Sequence, residues 1–113
     1  MHELSLCHEL ARMIAERAAS EGFTRVRRVV LEIGGLSHVL PDAMAFGFDV
    51  ATRGGPADGA TLDILRPPGT AWCADCDAQC EIAARGDGCP SCGGHRLLVT
   101  GGDELRLKEL EVL

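Results

Sequence analysis

The chain has 113 residues and a formal net charge of −6, with no tyrosine, one tryptophan and three phenylalanines. This length suits one modest domain, and an acidic chain with few stacking aromatics lacks the basic surface typical of nucleic-acid binders. The first residues carry no basic segment, and no apolar run reaches membrane-spanning length, so we expect neither a secretory signal nor a membrane span. We therefore expect the chain to lie in the reducing cytoplasm.

The first predicted elements are a helix and a strand. Apolar residues recur at helical spacing between residues 5 and 21, at Leu6, Leu10, Met13, Ile14 and Ala18. Gly22 is placed to end this helix. Residues 24–33 are rich in β-branched side chains and predict a strand, which Gly34 and Gly35 stop.

The remaining elements lie on either side of a cysteine-containing segment. A second helix is predicted from Pro41 to about Ala51, because proline suits the first helical turn. Residues 60–65 predict a short strand. The tail, residues 104–113, alternates again with a phase slip near Lys108 that suggests a bulge, and so apolar a strand should return to the first sheet.

These elements predict an α+β fold, with a small sheet packed with two helices and an inserted module. The predicted domains are residues 1–69, completed by a C-terminal strand at 102–113, and residues 70–101, which hold the cysteine pairs. The second segment is poor in large apolar residues, so we expect a metal ion to stabilise it.

Two Cys-x-x-Cys pairs, Cys73 with Cys76 and Cys89 with Cys92, are separated by twelve residues. Four thiolates at this spacing can surround one Zn²⁺ tetrahedrally, as in a zinc ribbon. Gly93 can adopt the positive φ that turns backbone N–H groups towards the sulfurs. A redox dithiol is the alternative, but two matched pairs outside a βαβ unit favour metal. A closed Cys₄ set leaves no open position, so the expected zinc is structural.

The other cysteines and histidines have simpler expected roles. Cys80 follows Cys76 closely but is expected to be a small apolar filler, and Cys7 lies on the apolar stripe of the first helix. His38 and His95 are expected to be exposed, although His95 is near enough to the last cysteine pair to act as an outer or conditional ligand.

The amino terminus, Met1-His2-Glu3, is a second candidate metal site. The α-amine, the His2 imidazole and the backbone amides between them form a nitrogen-rich set that suits Ni(II) or Cu(II). Glu3 can add an oxygen ligand or orient the imidazole. Judged by residue type alone, a histidine at position 2 is usually just exposed. His8 lies about 240° around a helix from His2 and does not share its face.

Taken in order, the motifs resemble the HypA/HybF family, whose members assist nickel insertion into [NiFe]-hydrogenases. The resemblance covers the whole chain, and it is carried by Met1-His2-Glu3-Leu4-Ser5, Val30-Leu31-Glu32-Ile33-Gly34, Leu36-Ser37, the two cysteine pairs and Glu104-Leu105-Arg106-Leu107-Lys108. Gly35 stands where the family often has an acidic residue, and His38 where a small one is common, so the resemblance leaves open whether the loop from Gly34 to Pro41 contacts nickel or a partner.

This resemblance implies a nickel metallochaperone rather than an enzyme. Met1, His2 and Glu3 would bind Ni²⁺ in a nickel-binding domain, and Cys73, Cys76, Cys89 and Cys92 would bind structural Zn²⁺. The implied partners are a nickel-handling maturation GTPase and the [NiFe]-hydrogenase large-subunit precursor, with the chain acting as a monomer or homodimer and with a further role in urease maturation.

Two other functional classes remain open on the residues alone. A zinc-ribbon adaptor would bind a protein or nucleic acid and handle no second metal. A redox enzyme would need a reversible disulfide in a metal-free form. Neither a nucleophile–base pair nor a phosphate-binding glycine loop of the Walker type is visible, which favours a role in binding over catalysis.

Overall fold

The computed structural model describes residues 2–113. Within that range the elements follow the order α1 (His2–Glu21), β1 (Val26–Ile33), α2 (Pro41–Ala51), β2 (Thr61–Leu65), β3 (Gly69–Cys73), β4 (Ala78–Ile82), β5 (Leu97–Gly101) and β6 (Leu105–Val112). The strands form two three-stranded sheets, ordered β2-β1-β6 and β4-β3-β5. This architecture confirms the α+β class. In the described part of the chain, no helix is both long and apolar enough to cross a membrane.

Helices α1 and α2 pack closely because one helical residue of α2 is a glycine. A Cβ on Gly47 would lie 3.0 Å from Cys7 Sγ and 3.6 Å from Leu4 Cα. The buried residues of α1 are Cys7, Leu10, Ile14 and Ala18, and all four lie on the predicted apolar stripe. Two other residues of that stripe, Leu6 and Met13, are not buried. α1 ends as predicted, since Gly22 has a φ of +80° and donates its N–H to Ala18 O at 2.9 Å.

The C-terminal strand returns to the first sheet, as predicted, and lies beside β1. Leu113 N–H donates to Arg25 O at 3.1 Å, and Gly34 N–H donates to Glu104 O at 2.8 Å. These bonds pair early residues with late ones in opposite order, so β6 runs antiparallel to β1. Burial alternates along β6 as far as the two exposed residues at 108 and 109, where the predicted phase slip occurs.

The second sheet forms in the cysteine-containing segment, where no individual strand was predicted. β3 is central and pairs antiparallel with both β4 and β5, with a register irregularity between Thr70 and Ala71. A small apolar cluster lies against this sheet. Its buried members are Leu36, Ala71 and Ile82, and its partly buried members are Cys80, Leu97 and Val99.

The contacts divide the chain into two compact units. The first comprises residues up to 31, residues 39–64 and residues 107–113, and the second comprises residues 32–38 and 65–106. The loop 32–38 belongs to the second unit because Leu36 packs with Ala71 and Ile82. The predicted domains, 1–69 with 102–113 and 70–101, divide the chain at other residues, and their assignment as nickel-binding and zinc-binding domains stays a prediction.

Candidate metal centre

The first Cys-x-x-Cys pair forms the turn between β3 and β4. β3 ends at Cys73, which is opposite Ala78 at the start of β4. Cys76 N–H points at Cys73 Sγ, with a distance of 3.4 Å between nitrogen and sulfur. The chain then reverses through Asp77, which has a φ of +52°. Aspartate tolerates this left-handed conformation better than most residues, so the turn can close without glycine.

The second pair lies in the loop that precedes β5. Gly93 has a φ of +73°, as predicted, and its N–H donates to Cys89 O at 2.8 Å. Cys89 N–H donates to Gly94 O at 2.7 Å, which closes the loop. Gly94 N–H approaches Cys92 Sγ at 3.4 Å, so a backbone donor faces a sulfur in this pair too.

The two pairs bring four sulfurs together. All four Sγ atoms, of Cys73, Cys76, Cys89 and Cys92, lie within 4.8 Å of one another. Cys73 Sγ is 3.7 Å from Cys92 Sγ, and Cys76 Sγ is 3.9 Å from Cys89 Sγ. A tetrahedron with Zn–S bonds of 2.3 Å has S···S edges of about 3.8 Å. The donor set and its spacing therefore fit Zn²⁺.

The four thiols differ in acidity because their neighbours differ. Backbone N–H groups of Cys92 and then of Ser91 point at the Cys89 sulfur, and they lower the pKa of that thiol to about 6. Hydrogen bonds with the neighbouring thiols of Cys92, Cys73 and Cys89 favour the protonated form of Cys76 and raise its pKa to about 12. Without metal at neutral pH, Cys89 is a thiolate and Cys76 is a thiol.

This difference predicts how zinc affinity depends on pH. Binding must displace the Cys76 proton, so we expect the apparent affinity to fall by at least about tenfold for each unit that the pH is lowered from 8 to 6. The pKa of Cys89 is about 6, so below that pH Cys89 also takes up a proton. The apparent zinc affinity should then fall more steeply with pH. Competition with a chromophoric chelator across this range measures the slope. An affinity that does not change with pH would contradict the assignment of Cys76 as a ligand.

Two of the three predicted nickel residues, His2 and Glu3, lie at the start of α1. Met1 lies outside the described residues. His2 is the first helical residue and is exposed, and Glu3 is half-buried. The first amides of a helix have no intrahelical acceptor, so a metal that used those of residues 2 and 3 would break no helical hydrogen bond.

Glu3 also has a partner at the residue that precedes the second helix. Leu40 N–H, at the residue that precedes α2, donates to Glu3 Oε2 at 3.3 Å. The pKa of Glu3 is held below its ordinary value, first by its own backbone N–H and then by that of Leu40. Across residues 2–113, the only cluster of three or more His, Cys, Asp or Glu ligand atoms is the four-cysteine one. His2 and Glu3 therefore have no third side-chain ligand assembled beside them.

A model of the family described as hydrogenase/urease nickel incorporation, metallochaperone, hypA, matches residues 1–112. The chain belongs to the HypA family. The match spans both the amino-terminal motif and the four cysteines, so both candidate metal sites lie within the region that matches the family.

Relatives with this name are similar over almost the whole chain. The hydrogenase maturation factor HypA of Rhodopseudomonas palustris strain TIE-1 is 51% identical over 112 residues, which cover 99% of each chain. The protein of the same name from Azotobacter vinelandii is 49% identical over 112 residues, again 99% of each chain.

Solved HypA structures share the fold. The solution structure of the nickel metallochaperone HypA from Helicobacter pylori has a TM-score of 0.70 at 26% identity, covering 98% of this chain and 97% of that one. A second solution structure of a HypA protein has a TM-score of 0.75 at 28% identity, covering 100% and 97%.

The remaining cysteines and histidines lie outside the four-cysteine cluster of this HypA-family chain. Cys80 packs against the apolar cluster of the second unit, as expected. Cys7 is fully buried, and its thiol donates to Met44 O at 3.3 Å, while burial raises its pKa. His38 and His95 are both exposed, as expected.

Two features of the candidate sites were missed from the sequence. Asp77 takes the left-handed position of the first turn, where a glycine signal was absent. The Leu40 N–H donates a hydrogen bond to the Glu3 carboxylate, and the two residues are 37 positions apart in the sequence. No local sequence pattern indicates such a contact. An acid in the first turn of α1 was the only hint, since first-turn acids seek backbone donors.

Proposed function

We propose that this chain is a nickel metallochaperone that delivers Ni²⁺ during the maturation of [NiFe]-hydrogenase. The observation that carries the proposal is the family match over residues 1–112. The full-length relatives named hydrogenase maturation factor support the hydrogenase as the destination. A further role in urease maturation is part of the proposal, because the family description includes urease.

In this proposal the four cysteines hold structural Zn²⁺. Their spacing fits the ion, and a complete thiolate set leaves no position for water or substrate. The ion would tie the turn after β3 to the loop before β5. Apart from the ion, these segments are joined by the bond from Ala74 N–H to Arg96 O at 3.0 Å and by the exposed ion pair of Asp75 and Arg96. Such an ion pair contributes little to stability.

The proposed nickel ligands are the Met1 amine, His2 and Glu3. His2 is exposed, so a partner can approach a metal bound there, and a small ligand set can lose its ion to a stronger one by stepwise ligand exchange. This role requires no catalytic residue, and we propose that the chain is not an enzyme.

The test of the nickel site is a pair of changes at the amino terminus. We expect His2→Ala, or one residue added before Met1, to weaken Ni²⁺ binding at least about 100-fold in calorimetry, because loss of a direct ligand exceeds the 10–100-fold effect of outer-shell changes. His8→Ala is the matched control, since His8 is another exposed histidine of α1 and should bind nickel as the parent does.

The outcome separates two functional classes. If both amino-terminal variants bind nickel like the parent, the assigned ligands are wrong. If the parent holds one zinc and no added nickel, the chain is a zinc-ribbon adaptor instead.

The proposal also includes partners and place of action. The partners are a nickel-handling maturation GTPase and the hydrogenase large-subunit precursor, and the chain acts as a monomer or homodimer in the cytoplasm, where thiols stay reduced. Within the chain, residues 1–69 with 102–113 form the proposed nickel-binding domain, and residues 70–101 the zinc-binding domain.

A further inference from the structure

Helix α2 begins without a capping side chain of its own. Leu40, the residue that precedes it, has an extended backbone and makes no side-chain cap. In a capping box, a glutamate or glutamine three residues later accepts the backbone N–H of the capping residue. That position is Ala43, whose side chain has no acceptor. At these two positions α2 therefore offers no side-chain acceptor for the N–H of Leu40.

Glu3 of the first helix supplies this acceptor. Leu40 N–H donates to Glu3 Oε2 at 3.3 Å, so a carboxylate from α1 takes the role that a glutamate at position 43 would have. A negative carboxylate is also favourable at this end of a helix, because the first backbone N–H groups leave a partial positive charge there. Glu3 thus caps α2 although it is the second residue of another helix.

The packing of the two helices holds these groups together. Gly47 of α2 lies against α1, where a Cβ on it would be 3.6 Å from Cα of Leu4, the residue after Glu3. One turn further along α1, the Cys7 thiol donates to Met44 O at 3.3 Å. Both contacts join the first two turns of α1 to α2. The backbone of Glu3 therefore cannot move away from the start of α2 without disturbing closely packed atoms.

The Glu3 carboxylate can bind Leu40 and a metal ion at the same time. A carboxylate has about four acceptor positions on its two oxygens. The backbone N–H groups of Glu3 itself and of Leu40 are its hydrogen-bond donors. The acceptor positions that remain belong to a side chain whose orientation is already fixed, so less conformational entropy is lost when it binds an ion.

We propose that the Leu40 N–H positions Glu3 as a nickel ligand, and that nickel bound to Glu3 stabilises the start of α2 in return. This inference rests on the proposed function, because it takes Glu3 as a ligand of the Ni²⁺ cargo. Coupling between two sites is reciprocal. The factor by which the bond from Leu40 raises nickel affinity is therefore also the factor by which nickel stabilises that bond. Nickel occupancy thus changes the stability of a second helix.

The first test removes the donor. Leu40→Pro deletes the N–H, and the φ of −88° and ψ of 122° at this position are close to those that proline adopts. We expect the Ni²⁺ affinity measured by calorimetry to fall about 10-fold, as for loss of the hydrogen-bond partner of a metal ligand. Leu40→Ala is the matched control and should bind like the parent, because it keeps the N–H and the Leu40 side chain is 63% exposed.

A second variant releases Glu3 without loss of the cap, and it carries the test even where proline disturbs the fold. Ala43→Gln places an amide oxygen where it can accept the Leu40 N–H in place of Glu3, and it adds no charge. A purely structural role of the bond predicts unchanged nickel affinity, because α2 stays capped. We expect instead a fall of about 10-fold, as in Leu40→Pro. Zinc content and the midpoint of thermal unfolding should stay those of the parent.

Hydrogen exchange of the Leu40 amide tests the reciprocal effect. Saturating Ni²⁺ should slow this exchange about 10-fold in the parent and leave it unchanged in Glu3→Ala, with mass spectrometry of overlapping peptides as the measurement. Unchanged nickel affinity in Leu40→Pro or Ala43→Gln, or exchange at Leu40 that ignores nickel in the parent, would overturn the inference. A parent that binds no Ni²⁺ would remove the proposed function and the inference with it, so the two failures are distinguishable.

Discussion

We expect Cys92→Ser to lose the proposed structural zinc and, with it, the folded structure of the second unit. Structural Zn²⁺ contributes about 10–16 kcal/mol to the folding of zinc-finger peptides. Even a modest share of that is hard for this unit to replace, because the apolar cluster against its sheet is small, with Leu36, Ala71 and Ile82 as its buried members. Cys92 is exposed, so the substitution removes a sulfur ligand without opening a cavity in a core.

Two measurements check this expectation. Zinc per chain, determined with a chromophoric chelator after unfolding, should fall from about one in the parent to near zero in the variant. Backbone amides of β3, β4 and β5 should lose their protection from hydrogen exchange. Cys80→Ser is the control, because Cys80 is a cysteine of the same unit outside the sulfur cluster and should keep its zinc. Stoichiometric zinc in Cys92→Ser would rule out the four-cysteine assignment.

Gly102→Ala is expected to destabilise the second unit by about 3–5 kcal/mol, through backbone strain and steric overlap together. Gly102 has a φ of +93°, and a Cβ there would meet the backbone of residues 68 and 69, with Pro68 O at 2.6 Å and Gly69 N at 2.9 Å. Backbone atoms cannot rotate away as a flexible side chain can. Leu36 N–H also donates to Gly102 O at 2.7 Å, so movement of Gly102 would strain this bond.

Gly86→Ala separates the two causes. Gly86 has the same φ of +93° in the same unit, but a Cβ there would have nothing within 4 Å. This variant should therefore show only the conformational cost of about 1–2 kcal/mol. Chemical denaturation of both variants, loaded with zinc, gives the comparison. Equal losses of stability would show that the close approach of backbone at Gly102 contributes nothing.

The elements with strong local patterns were predictable from the sequence. Helix α1 follows from a long apolar stripe and a glycine stop, although the structure begins it at His2 rather than at Ser5. Helix α2 has the predicted bounds, since Pro41 starts it and the glycine-rich stretch after Ala51 excludes its continuation. The cysteine cluster followed from spacing, because a short turn between two cysteines leaves their sulfurs little choice of direction.

The rest depends on contacts between distant residues. β3, β4 and β5 are short, and burial alternates along β3 and β5. Their residue types do not follow it, because Trp72 and Leu98 are apolar but exposed, so the sequence lacks the hydrophobic alternation that identifies a strand. The grouping of Leu36 with the second unit depends on Ala71 and Ile82, which lie far along the chain. The bond from Leu40 to Glu3 is of the same kind. Such contacts follow from the fold and cannot be derived from neighbouring residues.

The position of β6 beside β1 constrains how the protein can fold. Residues 107–113 belong to the first unit, yet the long segment 65–106 of the second unit lies between them and β2. One edge of β1 therefore stays unpaired until that segment brings β6 back to it. Pairing between residues so far apart in the chain is slow, because the entropy of closing the loop is lost before the contact forms. Folding of the second unit shortens this loop, so it favours completion of the sheet in the unit that carries the proposed nickel ligands.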